Sequence, residues 1–233
     1  MLTEPRVEVF ADPEAAAARA AALIGERLCA AVAERGAATF AVSGGRTPGR
    51  MLELLAAEAL PWGTIELFQV DERIAPDGDS SRNATQIRSA LGERIERYPE
   101  QFHWMPVTAA DLVAGARQYE AALTRAAGRP PVLDVVHLGL GVDGHTASIF
   151  ASDALDERHD VAVTAVRLGH SRMTLTVPML NRARSILWLV TGRDKSAALA
   201  RLLRADSELV ASRVRRAAAV IFADALAATP PLA

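Results

Sequence analysis

Apolar positions along the chain fall into two alternating periods. Short apolar blocks read as strands: "RVEVF" (6–10), "ATFAV" (38–42), "IELFQV" (65–70), "FHWMPV" (102–107) and "PPVLDVVHLGLG" (130–141). "DVAVTAV" (160–166), "RMTLTV" (172–177), "SILWLVTG" (185–192) and "AAAVIFAD" (217–224) extend the series. Between them run stretches with helical spacing. One begins at Asp12 and Pro13, a cap acceptor followed by proline at the first helical position, and continues to about Gly36. Others span Thr47–Leu60, Arg82–Ile95, Asp111–Gly128 and Asp194–Ala205.

Strands alternating with helices predict an α/β fold, a mostly parallel sheet flanked by helices. At 233 residues the chain is expected to form one domain over 1–233, with a frayed tail at 228–233. In such sheets ligands sit at the carboxyl ends of the strands. Four polar turns fall there: "SGGRTP" (43–48), "DER" (71–73), "GVDGHT" (141–146) and "TGRDK" (191–195).

Each turn has a plain reading and a chemical one. Gly44 and Gly45 let backbone amides face a ligand, the helix after Thr47-Pro48 adds its positive end, and Ser43 and Thr47 add hydroxyls. That set suits a phosphate; it also suits a tight turn with an ordinary cap. Arg172 and Lys195 are surface cations or the charge partners of such a phosphate. In "DER", two carboxylates and a guanidinium form a surface ion pair, or a carboxylate such as Asp71 orients Arg73 toward a developing negative oxygen.

Gly139, Gly141 and Gly144 spell G-x-G-x-x-G behind an apolar run, the dinucleotide fingerprint. Its acidic partner should end the following strand, yet Glu157 and Asp160 precede "VAVTAV". The segment 148–159 is also cramped for a crossover helix. The glycines are better spent turning the chain to present His145, a side chain that takes a proton near neutrality, with Asp143 beside it to orient the ring.

Composition narrows the field. A net charge of -2 provides no field for a nucleic-acid backbone, and the three arginines in "RVRRAAAV" read as a solvated face. Cys29 is the single cysteine, which excludes an intrachain disulfide. His137, His145, His159 and His170 lack a zinc-binding spacing, so no metal is expected, and no G-x-S-x-G elbow occurs. The first ten residues do not read as a signal peptide, and the alanine-rich segment after residue 14 carries charges at soluble-helix spacing. A reducing, cytoplasmic setting is the expectation.

With "SGGRTP", "VDER", "LGLGVDGHTASIF", "RMTLTVPMLNRA" and "LVTGRDKSAAL" in this order, residues 7 to 225 resemble the 6-phosphogluconolactonase family. Its superfamily also holds glucosamine-6-phosphate deaminase. The resemblance implies a modified Rossmann-like sheet without a bound dinucleotide or other cofactor. It implies hydrolysis of 6-phospho-D-glucono-1,5-lactone to 6-phosphogluconate in the oxidative pentose phosphate pathway. His145 would be the general base and Arg73 would support the oxyanion; Asp143 and Asp71 keep the orienting roles read from the loops above. The 43–47 loop (Ser43, Gly44, Gly45, Arg46, Thr47), Arg172 and Lys195 would hold the phosphate. The partner would be a small phosphorylated sugar lactone, met by a monomer or weak homo-oligomer, with neither nucleic acid nor membrane involved. Departures from the pattern stand at Ala151, at Arg82 and across Val210–Val214. A deaminase of glucosamine 6-phosphate and a non-catalytic sugar-phosphate sensor are the alternatives.

Overall fold

The computed structural model describes residues 4–151, 157–167, 169–217 and 219–229, with the Arg46 side chain outside that set. The chain opens with β1 (Arg6–Phe10) and α1 (Pro13–Arg35), then β2 (Ala38–Val42), α2 (Arg46–Ala57), β3 (Ile65–Gln69) and β4 (Asp71–Arg73). Helices α3 (Asn83–Leu91) and α4 (Glu93–Arg97) lead to β5 (Phe102–His103), α5 (Leu112–Ala127) and β6 (Val135–Leu138). The remainder is β7 (Val161–Val163), β8 (Arg172–Leu175), α6 (Val177–Asn181), β9 (Ser185–Val190), α7 (Ser196–Leu203), β10 (Ala219–Asp224) and α8 (Ala225–Ala228).

Seven strands form one parallel sheet in the order β1-β10-β9-β6-β2-β3-β5. Period-two alternation feeds a core on each face. Phe40, Val42, Leu67 and Val135 pack under α1 and α2, while Ala41, Phe68, Val136 and Leu138 pack on the other side, under α5 and α7. Helix α1 begins where expected, the Asp12 carboxylate accepting from the Ala15 amide at 2.8 Å, and ends at Gly36 in the left-handed region. Its buried Ala16, Ala17, Ala20 and Ala21 let it lie close on the sheet.

Three departures from the sequence pattern have local causes. The "DER" turn is itself a strand, and β4, β8 and β7 form a separate antiparallel sheet in which Arg73 faces Arg172. Among the described residues no helix of crossover length joins β7 to β8, which favours antiparallel pairing. The helix expected through Ile95 breaks at Gly92, whose φ is +38°. Strand β5 stops early because the Met105 amide donates to the Gln69 side chain at 2.7 Å instead of to a ladder. At the end of the chain α8 is capped by Asp224, which accepts from the Ala227 amide at 2.8 Å; residues 230–233 lie outside the described set.

His137 lies in β6, in the middle of the parallel sheet, with no solvent exposure. Neither ring nitrogen has a hydrogen-bond partner among the described residues. Burial lowers its pKa to about 3, so the ring is neutral in the fold, whereas the unfolded chain takes the proton near 6.5. The stability that depends on its neutrality is complete above 6.5 and is lost as pH falls from there toward 3. Urea unfolding at pH 7 and pH 5 should show wild type losing about 2 kcal/mol more than His137→Leu. Equal losses would remove His137 from the linkage.

Candidate active site

A cavity of about 340 Å³ opens at the carboxyl edge of the parallel sheet, where β2, β6 and β9 end and the small sheet begins. Its size lies at the lower end of small-ligand pockets. The turn after β2 forms one wall. Gly45 precedes the first residue of α2 with no side-chain cap, so the positive end of the helix faces the cavity with its amides uncovered. The Gly45 amide is not among the free ones, because it donates to Gln86 Oε1 at 2.6 Å. Gly44 is there for closeness: a β-carbon on it would sit 2.3 Å from Asn83 Oδ1. The Ser43 hydroxyl donates to the His137 carbonyl at 3.2 Å, and the hydroxyls of Thr47 and Thr191 meet at 3.0 Å. Lys195, from the turn after β9, stands on the same wall, with Asp194 3.7 Å away.

The opposite wall comes from the small sheet and the start of α3, organised by Glu72, which has no solvent exposure. Its carboxylate accepts from the amides of Arg73 (2.8 Å), Asn83 (2.7 Å) and Ala84 (2.8 Å), and from the Gln69 side chain (2.8 Å). Arg73 donates to the Ser81 carbonyl and to Asn83 Oδ1. Asn83 Nδ2 in turn donates to Asp71, to its carbonyl at 2.8 Å and its carboxylate at 3.1 Å. Asp71 thus reaches Arg73 through Asn83. Burial, with Glu72 next to it, holds the Asp71 carboxyl above the usual carboxylate range, against the opposing pull of the Ser148 hydroxyl, Arg73 and His145.

His145 lies between these walls. The loop that carries it folds back on itself: the Gly141 amide donates to the His145 carbonyl at 2.8 Å, and the Gly144 amide to the Gly141 carbonyl at 3.0 Å. Gly144 has φ +84°, and a β-carbon on it would fall 1.9 Å from Leu209 Cδ1. One on Gly141 would fall 2.1 Å from His145 Nδ1. The glycines make room for an imidazole, and no helix begins among them. After Gly144 the chain forms a tight bridge between Thr146 and Ile149. His145 Nδ1 lies 2.5 Å from Asp143 Oδ1, which also accepts the His145 amide at 3.2 Å. Phe150 packs on the ring with centroids 4.4 Å apart. Burial raises the Asp143 pKa, but the two hydrogen bonds from His145 and its charge outweigh this and leave the carboxyl below its usual range. Nδ1 is taken by Asp143, which leaves Nε2 without a partner among the described residues.

Ser43, Gly44, Gly45, Thr47, Asp71, Arg73, His145 and Lys195 therefore border one cavity, and Asp143 stands behind His145. Arg172 does not border it. It lies buried on β8 opposite Arg73, donates to the carbonyls of Arg167 and His170, and rests over the Phe150 ring at 5.5 Å. The arginine expected to help hold the phosphate thus stands behind the ring that touches His145. Arg46, expected in the phosphate set, has its side chain outside the described residues. Asn83, Gln86 and Thr191 were not singled out as parts of the site, and Glu72 entered only as the second carboxylate of "DER". Among the described residues no group of three or more His, Cys, Asp or Glu could hold a metal, and no helix is long and apolar enough to cross a membrane.

Residues 11–222 match the family model of glucosamine-6-phosphate isomerases/6-phosphogluconolactonase. The 6-phosphogluconolactonase of a Synechocystis species is 36% identical over 209 residues, 88% of this chain and 87% of that protein. That of a Nostoc species is 37% identical over 208 residues, 87% and 86% of the two chains. The crystal structure of a 6-phosphogluconolactonase from Shewanella baltica superposes with a TM-score of 0.83 at 27% identity, covering 97% of this chain and all (100%) of that one. A monomeric glucosamine-6-phosphate deaminase reaches the same TM-score of 0.83 at 19% identity, a likeness of fold alone. On its sequence, its parallel sheet and this cavity, the chain belongs to the glucosamine-6-phosphate isomerase/6-phosphogluconolactonase family.

Proposed function

We propose that this protein is a hydrolase that opens the ring ester of 6-phospho-D-glucono-1,5-lactone to 6-phosphogluconate, the lactone step of the oxidative pentose phosphate pathway. One observation carries the reading. An imidazole held through Nδ1 by a carboxylate and an uncapped helix N-terminus beside a lysine open onto the same cavity. The first is equipment for taking a proton, the second for holding a dianion. The curated relatives carrying this name over nearly their whole length support the same substrate.

In the proposed reaction the phosphate sits on the first-turn amides of α2, the hydroxyls of Ser43 and Thr47, and Lys195. Arg172, lying off the cavity, is left out of this set. Anchored at that end, the lactone presents its carbonyl to the other wall. Neutral His145 takes a proton at Nε2 from a water as its oxygen attacks the carbonyl carbon. Asp143 accepts the Nδ1 hydrogen bond throughout and stabilises the imidazolium that forms. Arg73, aimed by Asn83 and Asp71, faces the developing oxyanion, a kind of contact worth ~3 kcal/mol in other enzymes. As the tetrahedral intermediate collapses, the imidazolium returns its proton to the departing ring oxygen, and the open-chain acid leaves.

The test is prompt lactone consumption on fresh substrate, since such esters also open unaided in water. His145→Ala should lower kcat/KM by roughly 10²–10⁴-fold. A near-normal rate would show that the imidazole is not the base. Asp143, whose carboxyl His145 holds below its usual range, accepts from Nδ1, so Asp143→Asn should lower kcat by at least tenfold with KM little changed. An unchanged kcat would mean that the carboxylate does not act through the ring.

A further inference from the structure

A second concavity, of about 810 Å³, lies between α5, the segment entering β6 and the start of β7. Pro131 on its wall precedes β6, whereas Gly139 of the first cavity follows that strand, so the two concavities sit at opposite ends of the sheet. They share no bordering residue.

Its charge runs against that of the chain. Among the described residues five arginines border it against two carboxylates, in a protein with a net charge of -2. Both carboxylates are already engaged. Glu120 accepts the amides of Asp160 (2.7 Å) and Val161 (3.1 Å) on one oxygen and Arg117 (3.0 Å) on the other. Asp160 pairs with Arg182, which also donates to the Pro131 carbonyl at 3.0 Å. Arg117 reaches His159 Nε2 at 2.8 Å. These contacts brace the floor. Arg125 and Arg129, on the exposed rim, make no ion pair or hydrogen bond among the described residues. A cation near the end of α5 is what the negative end of a helix dipole favours, but that effect reaches only the last turn and does not call for arginines from three other segments.

We propose that this groove is a binding site for a small molecule bearing at least two phosphoryl groups. The guanidinium's planar fork of donors matches phosphoryl oxygens and, being pre-organised, loses little freedom per hydrogen bond formed. Arg125 and Arg129, each able to grip one phosphoryl group with two donors, call for two such groups. The concavity has the size of a small-ligand pocket, and the chain as a whole lacks the positive field that would hold a nucleic-acid backbone. The site is independent of the lactone reaction proposed above.

Inorganic tripolyphosphate is the probe, titrated calorimetrically into the protein at constant ionic strength. Arg125→Glu with Arg129→Glu should weaken its binding by about tenfold or more and leave lactone hydrolysis unchanged. Arg125→Lys with Arg129→Lys, which keeps the charge but loses the fork, should fall between that variant and wild type, and Lys195→Ala should bind the probe like wild type. Circular dichroism confirms folding of each variant. Undiminished binding in the glutamate variant would overturn the proposal. So would loss of binding in Lys195→Ala, which would put the probe in the other cavity, or displacement by sulfate at equal concentration, which would reveal unspecific attraction.

Discussion

A carboxylate without access to water holds the site together. Glu72 is surrounded by donors: two amides at the start of α3, its neighbour's amide in β4, and the Gln69 side chain. A buried charge left unmatched would be strongly destabilising, so those donors must stay where they are. Three of them belong to the segments that carry Arg73 and Asn83. The small antiparallel sheet, the first turn of α3 and the last residue of β3 are thereby fixed relative to one another, and Arg73 inherits its position from that arrangement. Gln69 extends the same network to the Met105 amide, where β5 ends.

The histidine loop is held by sterics instead of charge. Gly141 and Gly144 leave space that the His145 ring and Leu209 occupy, and any side chain there would collide with them. One wall of the cavity is thus set by hydrogen bonding to a buried acid, and the histidine loop between the walls by close packing. An imidazole and an uncapped helix end stand within one small volume.

Much of this was legible in the pattern of residues, for physical reasons. Strands of the parallel sheet are buried on both faces and read as apolar runs, and Asp12-Pro13 and Gly36 mark α1 because capping chemistry is local. Ser43, Asp71, His145 and Lys195 could be grouped because carboxyl ends of parallel strands converge. The second sheet was hidden. A three-residue strand of charged side chains has no period to detect, and its partners β7 and β8 look like members of the main sheet. The neighbourhood of Arg172 was hidden for the same reason: it depends on antiparallel pairing with Arg73, which spacing does not reveal. Asn83 and Glu72 act through long-range hydrogen bonds and leave no trace in local sequence beyond their being polar.

The most direct test of the account is a crystal structure with 6-phosphogluconate bound. The account predicts the phosphate on the first turn of α2 beside Lys195, and the C1 carboxylate between His145 Nε2 and Arg73. A product lying with its carboxylate at Lys195, or with C1 out of reach of His145, would contradict it.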